Sequence, residues 1–452
     1  MQTPAPQHPL WKTYLLFLAP MVLSNFLQSM SGTINSIYIG QMLGTQALAA
    51  VSGMFPIVFF FIALVIGLGA GAGVLIGQAW GAREPHLVKT IAGTTLLLGA
   101  MIGLVVAILG SVFARPALQG LGTPADVIDD AVSYAHVMMW IMPSLLVYVL
   151  FTQLLRGVSD TVSPLIALVV STCIGLALTP ALIRGWFGLP MMGIQSAAYA
   201  GLAGNLSAMG WLAWRLIRKG HPLAPDREMF AAMRLDLVIL GKVLRIGLPT
   251  GLQMVVLSVS ELVILALVNR HGSQATAAYG AVTQIVNYVQ FPALSIAITA
   301  SILGAQAIGA GRLERMGPIL RTGLLINVCL TGGLVVLGYL LSHWLLGLFL
   351  TEDSTRAMAE HLLHIMLWSL LVFGFQAIVG GIMRASGSVL VPMAISIFCV
   401  VGVQLPVAYV LDGQFGLQGV WMAFPVAYLG MLVLQTAYYK KVWKHQAIER
   451  LV

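Results

Sequence analysis

Apolar runs long enough to cross a lipid bilayer recur from one end of this 452-residue chain to the other. The second of them reads LAAVSGMFPIVFFFIALVIGLGAGAGVL over residues 48–75, without an acid or a base. A bilayer core is spanned by about 20 such residues in a helix. It offers the backbone no water, so each N–H and C=O must find its partner within the segment or a neighbour. Composition excludes a water-soluble body. The chain is 59% hydrophobic and 8% charged, with a mean hydropathy of +0.93, where a soluble domain carries roughly 25% charged residues. It reads as an all-α integral membrane protein.

Gly, Pro and charged clusters divide the chain into twelve transmembrane spans. The first six cover 14–38, 48–75, 88–113, 128–154, 161–184 and 193–217. The second six cover 246–269, 275–305, 317–342, 358–383, 388–411 and 417–439. This gives an N-terminal lobe of residues 1–217, an inter-lobe linker of 218–245 with room for a short surface helix, and a C-terminal lobe of 246–452. The run that starts near Tyr14 is too long for a signal peptide and reads as a retained helix. Threaded this way, nineteen of the 23 Lys and Arg fall on one side, and only Arg115, Arg184, Arg270 and Arg356 on the other. That is the positive-inside pattern with both termini cytoplasmic. The net charge of +8 therefore reports orientation and does not point to nucleic acid. Cys173, Cys329 and Cys399 all fall in apolar spans and read as small core residues.

The chain is also written twice. At an offset of 228 residues, GTQALAAV (44–51) meets GSQATAAY (272–279), QAWGA (78–82) meets QAIGA (306–310), and HVMMW (136–140) meets HIMLW (364–368). Arg156 meets Arg384 and Pro164 meets Pro392, while Pro20 and Pro249 are one residue off that register. Six spans per repeat is an even number, so both repeats enter the membrane in the same direction. Such repeats are related by an axis along the membrane normal, with a site between them near the midplane. The result is two pseudo-symmetric six-helix lobes, an architecture that suits transport by alternating access.

The candidate chemistry centres on Glu261, in LSVSELVIL (257–265), the one acid placed deep in a span. An ionisable group there costs roughly 2.5–3.5 kcal/mol on insertion scales and is functional by default. A carboxyl group in this position can exchange a proton for a cationic ligand, because the two compete for it. Polar residues on neighbouring spans supply a substrate cavity. Asn25, Gln28, Ser31 and Asn35 recur at spacings of three, three and four, on one helix face. Gln253 lies within about a quarter-turn of Glu261, and Gln284, Asn287 and Phe291 share a face with Tyr288 adjacent. Interhelical hydrogen bonding is the competing role for each amide. Arg156 and Asp160, four apart at a helix end, suggest a capping or gating ion pair. His136 and His364, each four residues before a Trp, are candidates for gating or titration, with packing as the alternative. His361 and His364 beside Glu360 lack a third ligand in view, so no metal site is expected.

Several of these stretches together resemble the multidrug and toxic compound extrusion (MATE) antiporters of bacteria. They are IGQMLGTQALAA (39–50), GQAWGARE (77–84), LLRGVSDTVSPL (154–165), GAQAIGAGR (304–312) and IMRASGSVLVP (382–392). The resemblance covers essentially the whole chain. It implies a multi-pass protein of the bacterial inner membrane, acting as a monomer without cofactor. It also implies export of organic, often cationic, compounds coupled to H⁺ or Na⁺. One departure bears on coupling. Many bacterial members carry an aspartate on the first helix where this chain has Asn35, which cannot titrate. The family's glutamate on the seventh helix would align nearer Leu257, one turn before Glu261, so the role passes to Glu261 by chemistry and helix.

Three other functions compete. A flippase for a lipid-linked saccharide, from the same superfamily, would want basic cavity residues, and no span carries one at its middle. A membrane-embedded transferase would want paired acids for a divalent metal, and no span carries such a pair. A passive channel does not call for a duplicated fold around a lone acid. The chain is expected to be a transporter and not an enzyme.

Overall fold

The computed structural model describes residues 9–120, 122, 123 and 125–452. Long helices follow one another in chain order: α1 (Leu10–Leu43), α2 (Thr45–Gly81), α3 (Pro85–Gly120), α4 (Ile128–Gly157), α5 (Val162–Arg184) and α6 (Ser196–Lys219). A six-residue helix, α7 (Arg227–Ala232), lies in the connection between the repeats. The second series is α8 (Leu237–Asn269), α9 (Ser273–Gly309), α10 (Met316–Gly347), α11 (Asp353–Ala385), α12 (Leu390–Ile397), α13 (Leu405–Phe415) and α14 (Leu417–Lys441). Among the described residues, eleven helical spans are long and apolar enough to cross a membrane. The expected sixth span, α6, is the twelfth long helix and the least apolar, since it carries Asn205, Ser207 and three cations at its end. α12 and α13 form one span, joined by a π-helical stretch at Phe398–Gln404. Pro406 lies two residues beyond it. It has no N–H to give to the carbonyl four residues back, and its ring would clash there, so a wider turn relieves the helix.

The duplication is written into the backbone as well as the letters. α2 and α9 are both 37 residues long and begin 228 positions apart. Each is preceded by a glycine in an extended positive-φ conformation, Gly44 at φ 94° and Gly272 at φ 97°. Each closes with the same bond, from the Ala82 N–H to the Gln78 carbonyl and from the Ala310 N–H to the Gln306 carbonyl. The left-handed residue after that closure is Arg83 in the first half and Gly311 in the second. α4 and α11 end at equivalent residues, Gly157 and Ala385.

The helices form two compact units, one of Leu23–Gly251 and the other of Leu252–Val452 with the described part of Met1–Val22. In the first, α4 is central and packs against α2, α3 and α6. In the second, α11 holds the same place against α9, α10 and α14. α1 and α8 each run from one unit into the other, and Pro20 and Pro249 lie two residues before the changeovers. The first part of α1 is held by the Leu252–Val452 unit, where the Tyr14 hydroxyl donates to the Ile319 carbonyl at 2.8 Å. Phe17 and Met21 pack there on Ile302 and Ile298. The first part of α8 is held by the Leu23–Gly251 unit. GLGAG (67–71) of α2 meets GLPTG (247–251) of α8 so closely that a Cβ on Gly67 would lie 2.2 Å from the Gly251 nitrogen. Paired small-xxx-small motifs of this kind let membrane helices touch backbone to backbone.

Cys399 is buried beside Val400, Ala427 and Met431. Cys173 and Cys329 are exposed on their helices. They correct the expectation of three core cysteines, because the apolarity of a span does not say which of its faces turns inward.

Candidate functional site

LSVSELVIL is helical throughout, in the part of α8 that belongs to the Leu252–Val452 unit. Ser260, Ile264, Leu267 and Val268 form its buried stripe. Glu261 lies just beside that stripe and is exposed. Among the described residues it has no ion-pair partner. It interacts electrostatically with Tyr279 of α9 and Tyr428 of α14. Both tyrosines belong to an aromatic series. Tyr279 packs on Trp421 at 5.4 Å between ring centroids, Trp421 on Phe424 at 5.9 Å, Phe424 on Tyr428 at 6.4 Å, and Tyr428 on Phe373 at 5.2 Å. These rings meet tilted or edge to face, and Trp421, Phe424 and Tyr428 are buried in the core that Ile264, Leu267 and Val268 of α8 join.

Of the other candidates in this unit, Gln284 is exposed, while Gln253, Asn287 and Tyr288 are half-buried. Tyr288 meets Phe291 edge to face at 5.9 Å. In the Leu23–Gly251 unit, Gln28 is exposed and Asn25 and Asn35 are half-buried on α1. The Thr179 hydroxyl of α5 lies 3.3 Å from the Asn35 side-chain oxygen and 2.8 Å from the Gly175 carbonyl, to which it also donates.

The expected Arg156–Asp160 ion pair does not form. Arg156 donates to the Gln153 side-chain oxygen at 2.8 Å, one turn back on its own helix. Asp160 instead caps α5, accepting from the Ser163 N–H at 2.9 Å and the Ser163 hydroxyl at 2.6 Å. Its second neighbour is His221 at 3.5 Å, from the connection between the repeats. The helix ends after Gly157 and Ser159 turns left-handed, which removes the i, i+4 geometry the pair needed. Burial holds the His221 imidazole below its ordinary pKa, with Asp160 pulling the other way.

The two repeated histidines have diverged. His136 is exposed, as is Trp140. His364 is half-buried, 3.0 Å from the Ser342 hydroxyl, with its ring 5.1 Å from that of Tyr339. Ser342 donates in turn to Glu360 at 2.8 Å, and His343 lies 3.4 Å from the same carboxylate. Among the described residues no three His, Cys, Asp or Glu are grouped to hold a metal. Tyr279 and Tyr428, which interact electrostatically with Glu261, are the residues that sequence reasoning missed. The signal for Tyr428 was present, since Trp421, Phe424 and Tyr428 recur at i, i+3 and i+7 on one face of the last span.

Comparisons with known proteins agree with this fold. The MatE family model matches residues 20–181 and 249–410, once in each half. The chain is 42% identical over 444 residues to "Probable multidrug resistance protein YoeA" of Bacillus subtilis, covering 98% of this chain and 96% of that protein. It is 24% identical to "Multidrug export protein MepA" of Staphylococcus aureus, over 93% of this chain and 91% of that one. Among solved structures, a MATE in the straight conformation superposes with a TM-score of 0.87 at 20% identity, covering 96% of each chain. An outward-facing multidrug resistance MATE transporter does so with a TM-score of 0.86 at 20% identity, over 97% of this chain and 98% of that one. With a family match in both repeats and close identity along nearly its whole length, the chain belongs to the MATE family, a family of membrane transporters and not of enzymes.

Proposed function

We propose that this protein exports organic, cationic drug-like compounds from bacteria in exchange for protons, by alternating access, and that Glu261 is the group for which the two ligands compete. The observation that carries this reading is an exposed carboxyl on the part of α8 from Leu252 to Asn269, which holds no other acid or base, interacting electrostatically with Tyr279 and Tyr428 and with no cation paired to it among the described residues. The names of the YoeA and MepA relatives support multidrug export. Ionised, Glu261 attracts a cation. Protonated, it loses that attraction and the cation leaves, so each ligand lowers the affinity for the other by the same factor. Among the described residues no three His, Cys, Asp or Glu are grouped to hold a metal ion, which supports a proton over a hard metal cation that collects several oxygen ligands. Asn35, bonded to Thr179, serves as a fixed polar contact for substrate. The charge asymmetry of the loops supports an orientation with both termini in the cytoplasm.

The test is drug efflux from proteoliposomes energised by a pH gradient or, separately, by a Na⁺ gradient. Wild type should respond to the pH gradient. Glu261→Gln should fold and still bind a dye cation weakly, but lose pH-driven efflux. Undiminished efflux in that variant would overturn the role of Glu261, and a response to Na⁺ alone would overturn the proton.

A further inference from the structure

The end of the Leu23–Gly251 unit that carries the α2–α3, α4–α5 and α6–α7 connections is rich in positive charge. Ten Lys and Arg fall there, between Arg83 and Arg245, against five carboxylates: Glu84, Asp160, Asp226, Glu228 and Asp236. Four of these carboxylates are already engaged. Lys89 takes both Asp226 and Glu228 at 2.7 Å. Asp160 caps α5 and faces His221, and Asp236 accepts from the N–H groups of Val238 and Ile239 at the start of α8. Glu84 has a partner of its own. The three cations at the end of α6, Arg215, Arg218 and Lys219, have no carboxylate partner among the described residues.

Two of these three are built into a stripe. Trp211, Trp214, Arg215 and Arg218 stand at i, i+3, i+4 and i+7 and share one face of α6. The Arg215 guanidinium lies over the Trp211 ring at 5.2 Å, and that of Arg218 over the Trp214 ring at 4.6 Å. The Arg215 Nε is buried and has no hydrogen-bond partner among the described residues. Trp214 is 52% exposed and Ile217 55% exposed, whereas Leu212 and Leu216 are buried in the unit. A guanidinium stacked on an indole keeps its N–H edge free for a phosphate, which it binds through two parallel donors. Tryptophan on a membrane helix sits at headgroup level, where one part of the ring is wet and the rest is in acyl chains.

We propose that this face of α6 binds an anionic phospholipid. Arg215 and Arg218, backed by Trp211 and Trp214, grip the headgroup phosphate, and an acyl chain lies along Trp214 and Ile217. The unmatched charge selects an anionic headgroup over a zwitterionic one. The exposed apolar pair beside the guanidinia selects a lipid over a soluble anion. Basic residues near a membrane surface are worth about 1 kcal/mol each, so removing the pair should weaken binding of an anionic lipid on the order of 25-fold.

The experiment uses the full-length protein in detergent, titrated with phosphatidylglycerol, phosphatidylcholine or glycerol 1-phosphate, and follows thermal stability together with lipid adducts by native mass spectrometry. Wild type should gain stability and retain adducts with phosphatidylglycerol beyond those with phosphatidylcholine. Arg215→Gln/Arg218→Gln should lose that excess while melting normally in phosphatidylcholine, and Arg215→Lys/Arg218→Lys should keep most of it. Equal binding of both lipids by wild type, or full selectivity in the Gln variant, would overturn the proposal. So would a glycerol 1-phosphate effect as large as that of the lipid. Should the Gln variant fail to fold, a salt titration of wild type decides. The phosphatidylglycerol preference must fall as ionic strength rises.

Discussion

Replacing Gly67 with alanine puts a methyl group where α2 and α8 touch through their backbones. Its Cβ would lie 2.2 Å from the Gly251 nitrogen, 2.4 Å from its Cα and 2.6 Å from the Gly247 carbonyl oxygen. None of these is a side chain that can swing away, so the helices must part by about 1 Å to restore ordinary contact. Overpacking typically costs 1–3 kcal/mol, and backbone opposition puts this site at the upper end. The better helix propensity of alanine returns roughly 1 kcal/mol, leaving a net loss of about 2 kcal/mol. For a chain of 452 residues that is on the order of a 2 °C drop in apparent melting temperature, read by thermal unfolding of the detergent-purified protein. Gly241→Ala is the matched control. It is on the same α8, and its Cβ would meet nothing within 4 Å, so it should be neutral or slightly stabilising. Gly247→Ala strikes the Leu68 Cα at 2.5 Å, and the Gly67→Ala/Gly247→Ala double variant should lose less than the two singles added, because the helices are already apart. Coincident melting of Gly67→Ala and Gly241→Ala would refute the close approach.

Three further outcomes follow from features outside the transport site. His221 is held below its ordinary pKa by burial, so the folded state binds its proton less readily than the unfolded chain. The stability it supports is complete above about pH 6.5 and is lost as pH falls through the folded value. Proteolysis of the 220–236 connection should accordingly rise on acidification toward pH 5, and His221→Asn should remove that step. Ser342→Ala breaks the bridge between His364 and Glu360 and should cost about 1–2 kcal/mol, whereas His136→Gln, at an exposed position, should stay within roughly 0.5 kcal/mol; equal effects in thermal melts would argue against the divergence of the two repeats. Arg83 adopts φ 62° where its counterpart in the second half is Gly311, so Arg83→Gly should raise the melting temperature by the equivalent of roughly 0.5–1 kcal/mol.

The fold was legible because its signals are periodic. Span length, loop charge and the offset of 228 each constrain it independently, and the backbone keeps that offset at Gly44 and Gly272. What escaped reading depends on residues far apart in sequence. Asp160 finds His221 sixty-one positions away, and no local pattern announces it. The Arg156–Asp160 pair looked right by spacing and failed because the helix stops between the two. Glu261 stood out by being alone, but its electrostatic interaction with phenols on α9 and α14 comes from tertiary packing. The π-helical stretch before Pro406 shows the limit in another form. A proline announces a disturbed helix without saying whether the chain will kink or widen.

The reciprocal sharing of α1 and α8 bears on how such a chain can be assembled. A cut within 220–236 would leave the start of α8 on one fragment with its packing partners on the other, and would do the same to the start of α1. Neither fragment could bury its own leading helix, so the pieces should complement each other when co-expressed and be degraded when made alone. The same logic reaches back to a gene of one repeat. Its product could complete each six-helix body only by trading leading segments with a second copy, which makes an intertwined dimer the natural forerunner of the fused chain.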